Sequence, residues 1–226
     1  MDIKQTFDNE AEEYEYTSRA VNIYFDEALE CLVENIGAKQ QELKILDVCC
    51  GTGILTEKVA KKFPNAHFTG VDFSTGMLAI AKKRMEKYSF DCVVCDICDD
   101  EGMKKLGEFD LIISSFGVHN VHGKAYKLLA LENVLKHLKN GGQYITCDLV
   151  KGGSEEEEQK FEKFQRDWLL KSFSVEESED WMKLLKEEDD PETLEDNFKL
   201  LEKAGLKNVK AVWQKEFLAI WTGEKI

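Results

Sequence analysis

The segment KILDVCCGTGIL at residues 44–55 constrains the fold most, because it combines an apolar strand, a sharp turn and the start of a helix. Its apolar first half is typical of a central strand in a parallel sheet. Gly51 and Gly53 permit a tight turn and a close approach of the backbone to a ligand, because glycine has no Cβ. Residues 56–63 read as a helix whose first N–H groups would face that ligand. The segment therefore predicts a site for a nucleotide-like molecule.

A second apolar strand, FTGVD at residues 68–72, ends in an acid. An acid at the end of a second strand, about 20 residues after a glycine turn, can accept hydrogen bonds from both hydroxyls of an adenosine ribose. We therefore expect Asp72 to bind the ribose. A dinucleotide site would need a third small residue near position 55, where this chain has Leu55.

Together these features resemble the signature of class I S-adenosylmethionine-dependent methyltransferases, in which DxGxGxG is followed by a second strand ending in an acid. The variant here, DVCCGTG, has Cys49 at the first glycine position and is locally similar to ubiquinone and menaquinone C-methyltransferases. The resemblance implies S-adenosyl-L-methionine as the cofactor and a methyl acceptor bound beside it.

The same resemblance implies a role for each residue around the pocket. Gly51 and Gly53 would carry the backbone beneath the methionine moiety, and Asp47 would support the turn or the cofactor's ammonium group. The other cofactor-binding candidates are Cys49 in the turn, Phe73 and Met77 against adenine, Asp96 for the adenine amino group, Ile97 as a backbone donor, and Ser115 with Phe116 at the methionine end.

The order of predicted elements indicates an α/β fold. Strands alternate with helices and are followed by a terminal antiparallel pair, which implies a parallel sheet with helices on both faces. This order resembles the Rossmann-like, seven-stranded class I methyltransferase sheet within one domain, residues 1–226. The predicted strands are 44–49, 67–72, 90–95, 109–114, 143–149, 208–213 and 216–222, with Ser74 and Asp190 as N-caps of two helices.

Two helical segments lie outside this alternation. Residues 1–42 carry an apolar stripe at helical spacing, which predicts an N-terminal helical lid ending near Gly37. Residues 151–190 are too long for a loop and too amphipathic for disorder, so we expect a helical cap inserted after the fifth strand. Aromatic residues in both segments either pack on the sheet or line the pocket.

A closer resemblance is to a bacterial group similar to carboxy-S-adenosylmethionine synthase, which acts in tRNA wobble-uridine modification. It rests on FDNEAEEYEY, on RAVNIY at residues 19–24 and on the C-terminal segment around Trp213. It implies that Tyr14, Arg19 and Tyr24 help to close the cofactor pocket. That synthase holds its extra carboxylate with an arginine, whereas EESEDWMKLLKEEDD is acidic and offers only Lys183. Plain S-adenosylmethionine is therefore expected.

The catalytic candidates are His119, in the loop after the fourth strand, and Asp148, at the end of the fifth. A histidine there could act as a base near neutral pH, or it could only pack. Asp148 either contacts the substrate or caps the next loop. A base is required only if the acceptor must lose a proton.

Composition and net charge limit the classes of substrate and binding partner to be expected. A net charge of −14 opposes generic binding to nucleic acid, so we expect a small-molecule acceptor, with tRNA as the alternative and a non-catalytic cofactor-binding regulator as a third reading. No secretory leader, long apolar run or converging metal ligands are evident, and the seven cysteines read as reduced thiols. The expectation is a cytoplasmic enzyme without a metal or membrane partner. A homodimer and the choice among O, N, S and C acceptors stay open.

Overall fold

A computed structural model of the protein describes residues 14–38 and 42–226. The predicted α/β architecture is confirmed, with seven strands in one sheet. The strands are β1 (Lys44–Val48), β2 (His67–Asp72), β3 (Ser89–Val94), β4 (Phe109–Ser115), β5 (Leu138–Leu149), β6 (Lys207–Lys215) and β7 (Leu218–Glu224). The α-helices are α1 (Tyr14–Val21), α2 (Phe25–Glu34), α3 (Ile54–Lys62), α4 (Thr75–Arg84), α5 (Asp100–Met103), α6 (Lys124–Leu135), α7 (Glu155–Leu169), α8 (Val175–Glu188) and α9 (Leu194–Lys203).

The sheet has the order β3-β2-β1-β4-β5-β7-β6. Strands β1 to β5 pair in parallel, whereas β7 runs antiparallel to both β5 and β6. The chain begins at the centre with β1, moves outward to β3, and then crosses to β4. The carboxyl ends of β1, β2 and β4 therefore meet at one edge, where ligands of such sheets bind.

Helices cover both faces of the sheet, because consecutive residues of the central strand point to opposite sides. Ile45 belongs to the apolar cluster formed with α2 and α3, and Leu46 belongs to the cluster formed with α6 and α9. Both side chains are fully buried. This double burial explains why β1 reads as a continuous apolar run rather than an alternating one.

Both expected accessory segments are helical in their described parts. Helices α1 and α2 precede the sheet, while the rest of the predicted lid, residues 1–13 and 39–41, lies outside the described residues. The predicted insertion contains α7 and α8. The indole Nε1 of Trp168 on α7 donates to the carbonyl of Ala20 on α1 at 2.8 Å, so the two segments meet over the same edge of the sheet.

Three boundary predictions were wrong. Strand β5 begins at Leu138 rather than at residue 143. The last helix begins at Leu194 with Thr193 as its N-cap, whose Oγ1 accepts from the Asp196 N–H at 3.1 Å. Asp190, the predicted cap, instead accepts from Gly123 N at 2.7 Å and from the Lys127 ammonium at 3.0 Å. Helix α2 ends at Glu34, before Gly37. The predicted cap of α4 is confirmed, since Ser74 Oγ accepts from Met77 N at 3.1 Å.

Candidate cofactor and acceptor site

The turn after β1 is built from three residues with positive φ. Cys49 has φ 55°, Gly51 has φ 51° and Gly53 has φ 76°. Glycine adopts this conformation without steric penalty, whereas Cys49 does not. A Cβ added to Gly51 would meet nothing within 4 Å. The turn therefore leaves open space directly above Gly51, which fits a cofactor passing close to the backbone.

Cys49 is accommodated by a second glycine in the loop after β4. A Cβ added to Gly117 would lie 2.4 Å from the Cys49 Cβ and 3.0 Å from its Sγ. The side chain at the usual glycine position thus occupies the space that a side chain at position 117 would need. The neighbouring Phe116 also has a positive φ, of 51°.

Asp47 supports the turn from beneath rather than lining a cavity. Its side chain is 1% exposed, and its Oδ2 accepts from Thr56 Oγ1 at 2.5 Å. Burial and the nearby Asp72 raise the pKa of Asp47 to about 7, although the hydrogen bond from Thr56 opposes the shift. Its Oδ1 is buried and has no hydrogen-bond partner in the described part of the chain. Of its two predicted roles, these contacts match support of the turn.

Asp72 ties the end of β2 to the glycine turn. Its Oδ2 accepts from Gly51 N and its Oδ1 from Ser74 N, each at 2.9 Å. A carboxylate oxygen can accept more than one hydrogen bond, so these two bonds do not by themselves preclude contacts to the ribose hydroxyls. Asp72 is 9% exposed and lines the two cavities over the turn.

Three contiguous cavities follow the carboxyl edge of the sheet. The first, of about 340 Å³, is lined by Asp72, Phe73, Asp96 and Ile97 among others. A narrow second space of about 40 Å³ lies over Gly51. The third, of about 400 Å³, contains His119. Shared lining residues join them, so a ligand that begins beside β3 can reach the third cavity.

Some of the predicted cofactor residues line the three cavities and others do not. Those that line the cavities are Tyr14, Cys49, Gly51, Asp72, Phe73, Met77, Asp96 and Ile97, together with Phe116. Those that do not are Arg19, Tyr24, Asp47, Gly53 and Ser115. Arg19 pairs with Asp26 at 2.8 Å instead. Tyr24 stacks on Phe164, with ring centroids 6.2 Å apart.

Helix α1 is fastened to the glycine turn by residues that the sequence did not reveal. Glu15 Oε1 accepts from Thr52 Oγ1 at 3.0 Å and also pairs with Arg84. The Arg84 Nε donates to the Thr52 carbonyl at 2.9 Å. Glu15 from α1 and Arg84 from α4 therefore hold helix α1 against the turn. Tyr14, at the start of α1, lines the second and third cavities.

His119 lies between two carboxylates at the floor of the third cavity. Its Nδ1 forms a short contact with Asp148 Oδ1, and its Nε2 lies 3.6 Å from Asp189 Oδ1. Asp148 Oδ2 also accepts from the N–H groups of Val118 and His119, at 3.0 and 3.2 Å. The structure thus brings both predicted catalytic residues together. It leaves Nε2 as the ring atom without a hydrogen bond in the described chain.

The charges around this imidazole set its protonation. Burial lowers the pKa of His119, but Asp148 and Asp189 outweigh it and raise the pKa to about 9. Burial raises the pKa of Asp189, and the imidazolium opposes that shift. The side chains of Asp148 and His119 are only 2% and 8% exposed. His119 is therefore mainly protonated at neutral pH while no ligand adds a further positive charge.

Asp189 was missed because it sits in the acidic run EEDD, where nothing in the local pattern separates it from solvated acids. Asn120, which lines all three cavities, was missed because no motif in the loop sequence SSFGVHNVHG points to it. The described residues contain no cluster of potential metal ligands and no helix long and apolar enough to cross a membrane.

Comparisons with known proteins match part of this chain to methyltransferases. Residues 45–142 match a family model described as a methyltransferase domain. A malonyl-[acyl-carrier protein] O-methyltransferase of Priestia megaterium is 33% identical over 133 residues, covering 56% of this chain and 47% of the relative. A demethylmenaquinone methyltransferase of Chlorobaculum tepidum is 32% identical over 157 residues, covering 66% of this chain and 60% of the relative. The chain thus spans about half the length of the first of these relatives.

Solved structures agree on the fold. CalO1, a methyltransferase in calicheamicin biosynthesis solved in its SAH-bound form, superimposes with a TM-score of 0.63 at 17% identity, over 100% of this chain and 61% of that chain. The expected seven-stranded class I methyltransferase fold is thereby confirmed, whereas the narrower resemblance to the carboxy-S-adenosylmethionine synthase group stays a prediction. Residues 45–142 are thus similar to a methyltransferase domain, the relatives are named as methyltransferases, and the fold is shared with an SAH-bound methyltransferase.

Proposed function

We propose that the protein methylates a small molecule bound in the third cavity, with His119 as the base that removes a proton from the acceptor. The observation that carries this proposal is the continuity of the cavities. Tyr14, Phe116 and Asn120 line both the space over Gly51 and the cavity that contains His119. A cavity of about 400 Å³ is within the range of small-molecule sites.

The cofactor would lie with its adenine in the first cavity. Asp96 and the Ile97 N–H would contact the adenine edge, and Asp72 the ribose. In the described chain, no acceptor for the Ile97 N–H is present, which leaves it available. S-adenosylmethionine supplies an electrophilic methyl group on a sulfonium, and the departing sulfur is a neutral thioether.

The protein's part is then alignment and proton removal. Holding the acceptor in line with the methyl group accounts for much of the rate in such transfers. As the methyl group passes to the acceptor, the acceptor's proton would move to Nε2 of neutral His119. Asp148 holds the ring through Nδ1 and stabilises the resulting imidazolium. Helix α1 and the insertion would exclude water from above.

The relatives do not indicate which acceptor this chain uses, because one is named for malonyl-[acyl-carrier protein] and the other for demethylmenaquinone. The tRNA alternative is less well supported, because the chain carries a net charge of −14. A carboxylated cofactor finds little support in the insertion. Lys183 is 74% exposed and lies near Glu187, and Arg166 pairs with Glu179.

A cytoplasmic location is part of the same proposal. All seven cysteines are free, and three of them are buried, as expected in a reducing compartment. The homodimer stays a prediction from the sequence alone.

Binding of S-adenosylhomocysteine, measured by calorimetry, tests the proposal. We expect the wild-type chain to bind, and Asp72→Ala to lose at least about 100-fold in affinity, since charge-assisted hydrogen bonds and the turn itself are both affected. Asp91→Ala removes an acid that is 72% exposed on β3 and pairs with His67, so it serves as the matched control. If the wild type binds neither the cofactor nor its product, the proposed function is refuted.

A further inference from the structure

The wall of the third cavity opposite the cofactor turn comes from the end of α8. Glu188 and Asp189 line this wall together with Trp181. Glu188 is half-buried, and its carboxylate has no hydrogen-bond or ion-pair partner in the described residues. Its neighbour Glu187 points elsewhere and lies 3.9 Å from the Lys183 ammonium.

Basic side chains do not compensate these acids. No lysine or arginine of the described chain lines the cavity. The buried ammonium of Lys127 is bound to Asp190 at 3.0 Å. Lys186 lines only the adjoining cavity of about 160 Å³, where it pairs with Glu162 at 3.3 Å.

The cation that lines the cavity, protonated His119, already interacts with two carboxylates. Even when His119 is protonated, it stands between two carboxylates, those of Asp148 and Asp189. With Glu188 added, acids outnumber the imidazolium on the surface that an acceptor would contact. A carboxylate acceptor would therefore enter a negative field, whereas an ammonium group would enter a favourable one.

His119 presents a ring nitrogen to this cavity. The His119 side chain is 8% exposed and lines the cavity, yet its Nε2 has no hydrogen bond within the described chain. The remaining wall is apolar, with Val21, Phe116 and Leu149 among its residues. The cavity thus combines a ring nitrogen whose nearest charged neighbour is Asp189 Oδ1 at 3.6 Å, an apolar wall and an acidic end.

We propose, on the basis of the proposed function, that the acceptor is a cation: a small molecule with an apolar body whose ammonium group sits against Glu188 and Asp189. Its methyl-accepting atom would lie toward His119 Nε2 and the cofactor. The acids at the end of α8 would then determine specificity by charge, favouring ammonium compounds and excluding carboxylates.

The test uses three probes that share a 4-hydroxyphenyl ring and differ in charge: tyramine, 4-ethylphenol and 3-(4-hydroxyphenyl)propanoate. Each is titrated by calorimetry into the full chain saturated with S-adenosylhomocysteine. We expect tyramine to bind about tenfold more tightly than 4-ethylphenol, because its ammonium group would lie within a few ångströms of a partly buried carboxylate. The propanoate should bind more weakly than both, because its own carboxylate would be repelled there.

Substitutions at the acidic wall locate the effect. Glu188→Gln is expected to remove most of the tenfold preference for tyramine, and Glu188→Lys to reverse the order of tyramine and the propanoate. Glu187→Gln, one residue away on the exposed side of α8, is expected to change neither.

Three results would overturn the proposal while leaving the proposed function intact. The probes could bind equally, none could bind although S-adenosylhomocysteine does, or Glu188→Gln could weaken S-adenosylhomocysteine without altering the order of the probes. The last result would mean that Glu188 serves the cofactor. Failure of S-adenosylhomocysteine itself to bind would instead refute the methyltransferase function on which the proposal rests.

Discussion

The protonation of His119 should make the stability of this protein fall between about pH 6.5 and about pH 9. Burial lowers the pKa of His119, but Asp148 and Asp189 raise it from 6.5 to about 9. In the unfolded chain the value returns to about 6.5. Because the folded value is higher, the stabilisation is fully present below about pH 6.5 and is lost as the pH rises through 9.

The magnitude follows from the size of the shift. At 1.36 kcal/mol for each unit of pKa, the rise to about 9 corresponds to about 3 kcal/mol of unfolding free energy. No large discount for solvent screening applies, because the His119 and Asp148 side chains are 8% and 2% exposed. A change of this size is a substantial fraction of the stability of a typical domain.

Urea unfolding, followed by tryptophan fluorescence from about pH 6 to about pH 9.5, measures the effect in wild type and His119→Gln. The difference in unfolding free energy between the two proteins should shrink by about 3 kcal/mol across this range, while other titrating groups cancel. His122→Gln is the control, because His122 bonds the Glu188 carbonyl rather than a carboxylate. A difference that is the same at both ends of the range would refute the assigned charge state.

The same shift governs catalysis if His119 is the base. About 1% of the imidazole is neutral two units below its pKa, so kcat/KM should rise about tenfold per pH unit from neutrality toward pH 9. A flat profile for an acceptor that must lose a proton would exclude His119 as its base.

Two substitutions near the glycine turn test its packing. Gly117→Ala should destabilise the fold by about 1–3 kcal/mol, because the new Cβ would lie 2.4 Å from the Cys49 Cβ. Cys49→Gly in the same chain should recover part of the loss, and Gly107→Ala, with nothing within 4 Å, should be near neutral. Thr56→Val should cost about 1–3 kcal/mol in urea unfolding, because it removes the hydroxyl that bonds the buried Asp47 at 2.5 Å. Unchanged stability in either variant would contradict the packing described.

The cofactor wall could be predicted from the sequence because its parts are local and the fold gathers them. The glycine turn immediately follows β1, and Asp72 and Asp96 end or follow neighbouring strands. Parallel strands bring their carboxyl ends to one edge, so a correct order of elements was sufficient. No knowledge of side-chain contacts was needed.

The acceptor side could not be predicted, because it depends on how a remote insertion packs. Asp190-Pro191 matches a local helix-start pattern, yet the Gly123 N–H and the Lys127 ammonium bind Asp190 from a distant part of the chain. Arg19 and Tyr24 matched a sequence pattern; they contact Asp26 and Phe164 and line none of the described cavities, and their role in closing the pocket stays a prediction. At Asp190, tertiary contacts overrode the local preference.

The junction at the end of α8 would couple acceptor choice to proton removal in the proposed mechanism. Asp190 N donates to the His119 carbonyl at 3.0 Å, and the His122 ring bonds the Glu188 carbonyl at 2.9 Å. Asp189, between them, faces the His119 ring. The loop that carries His119 and the acids of the proposed acceptor wall are therefore fixed to each other from both sides. A change in the length or angle of α8 would move the acidic wall and alter the charge around the base together, while the turn at Gly51, held by its own contacts to β2, would stay in place.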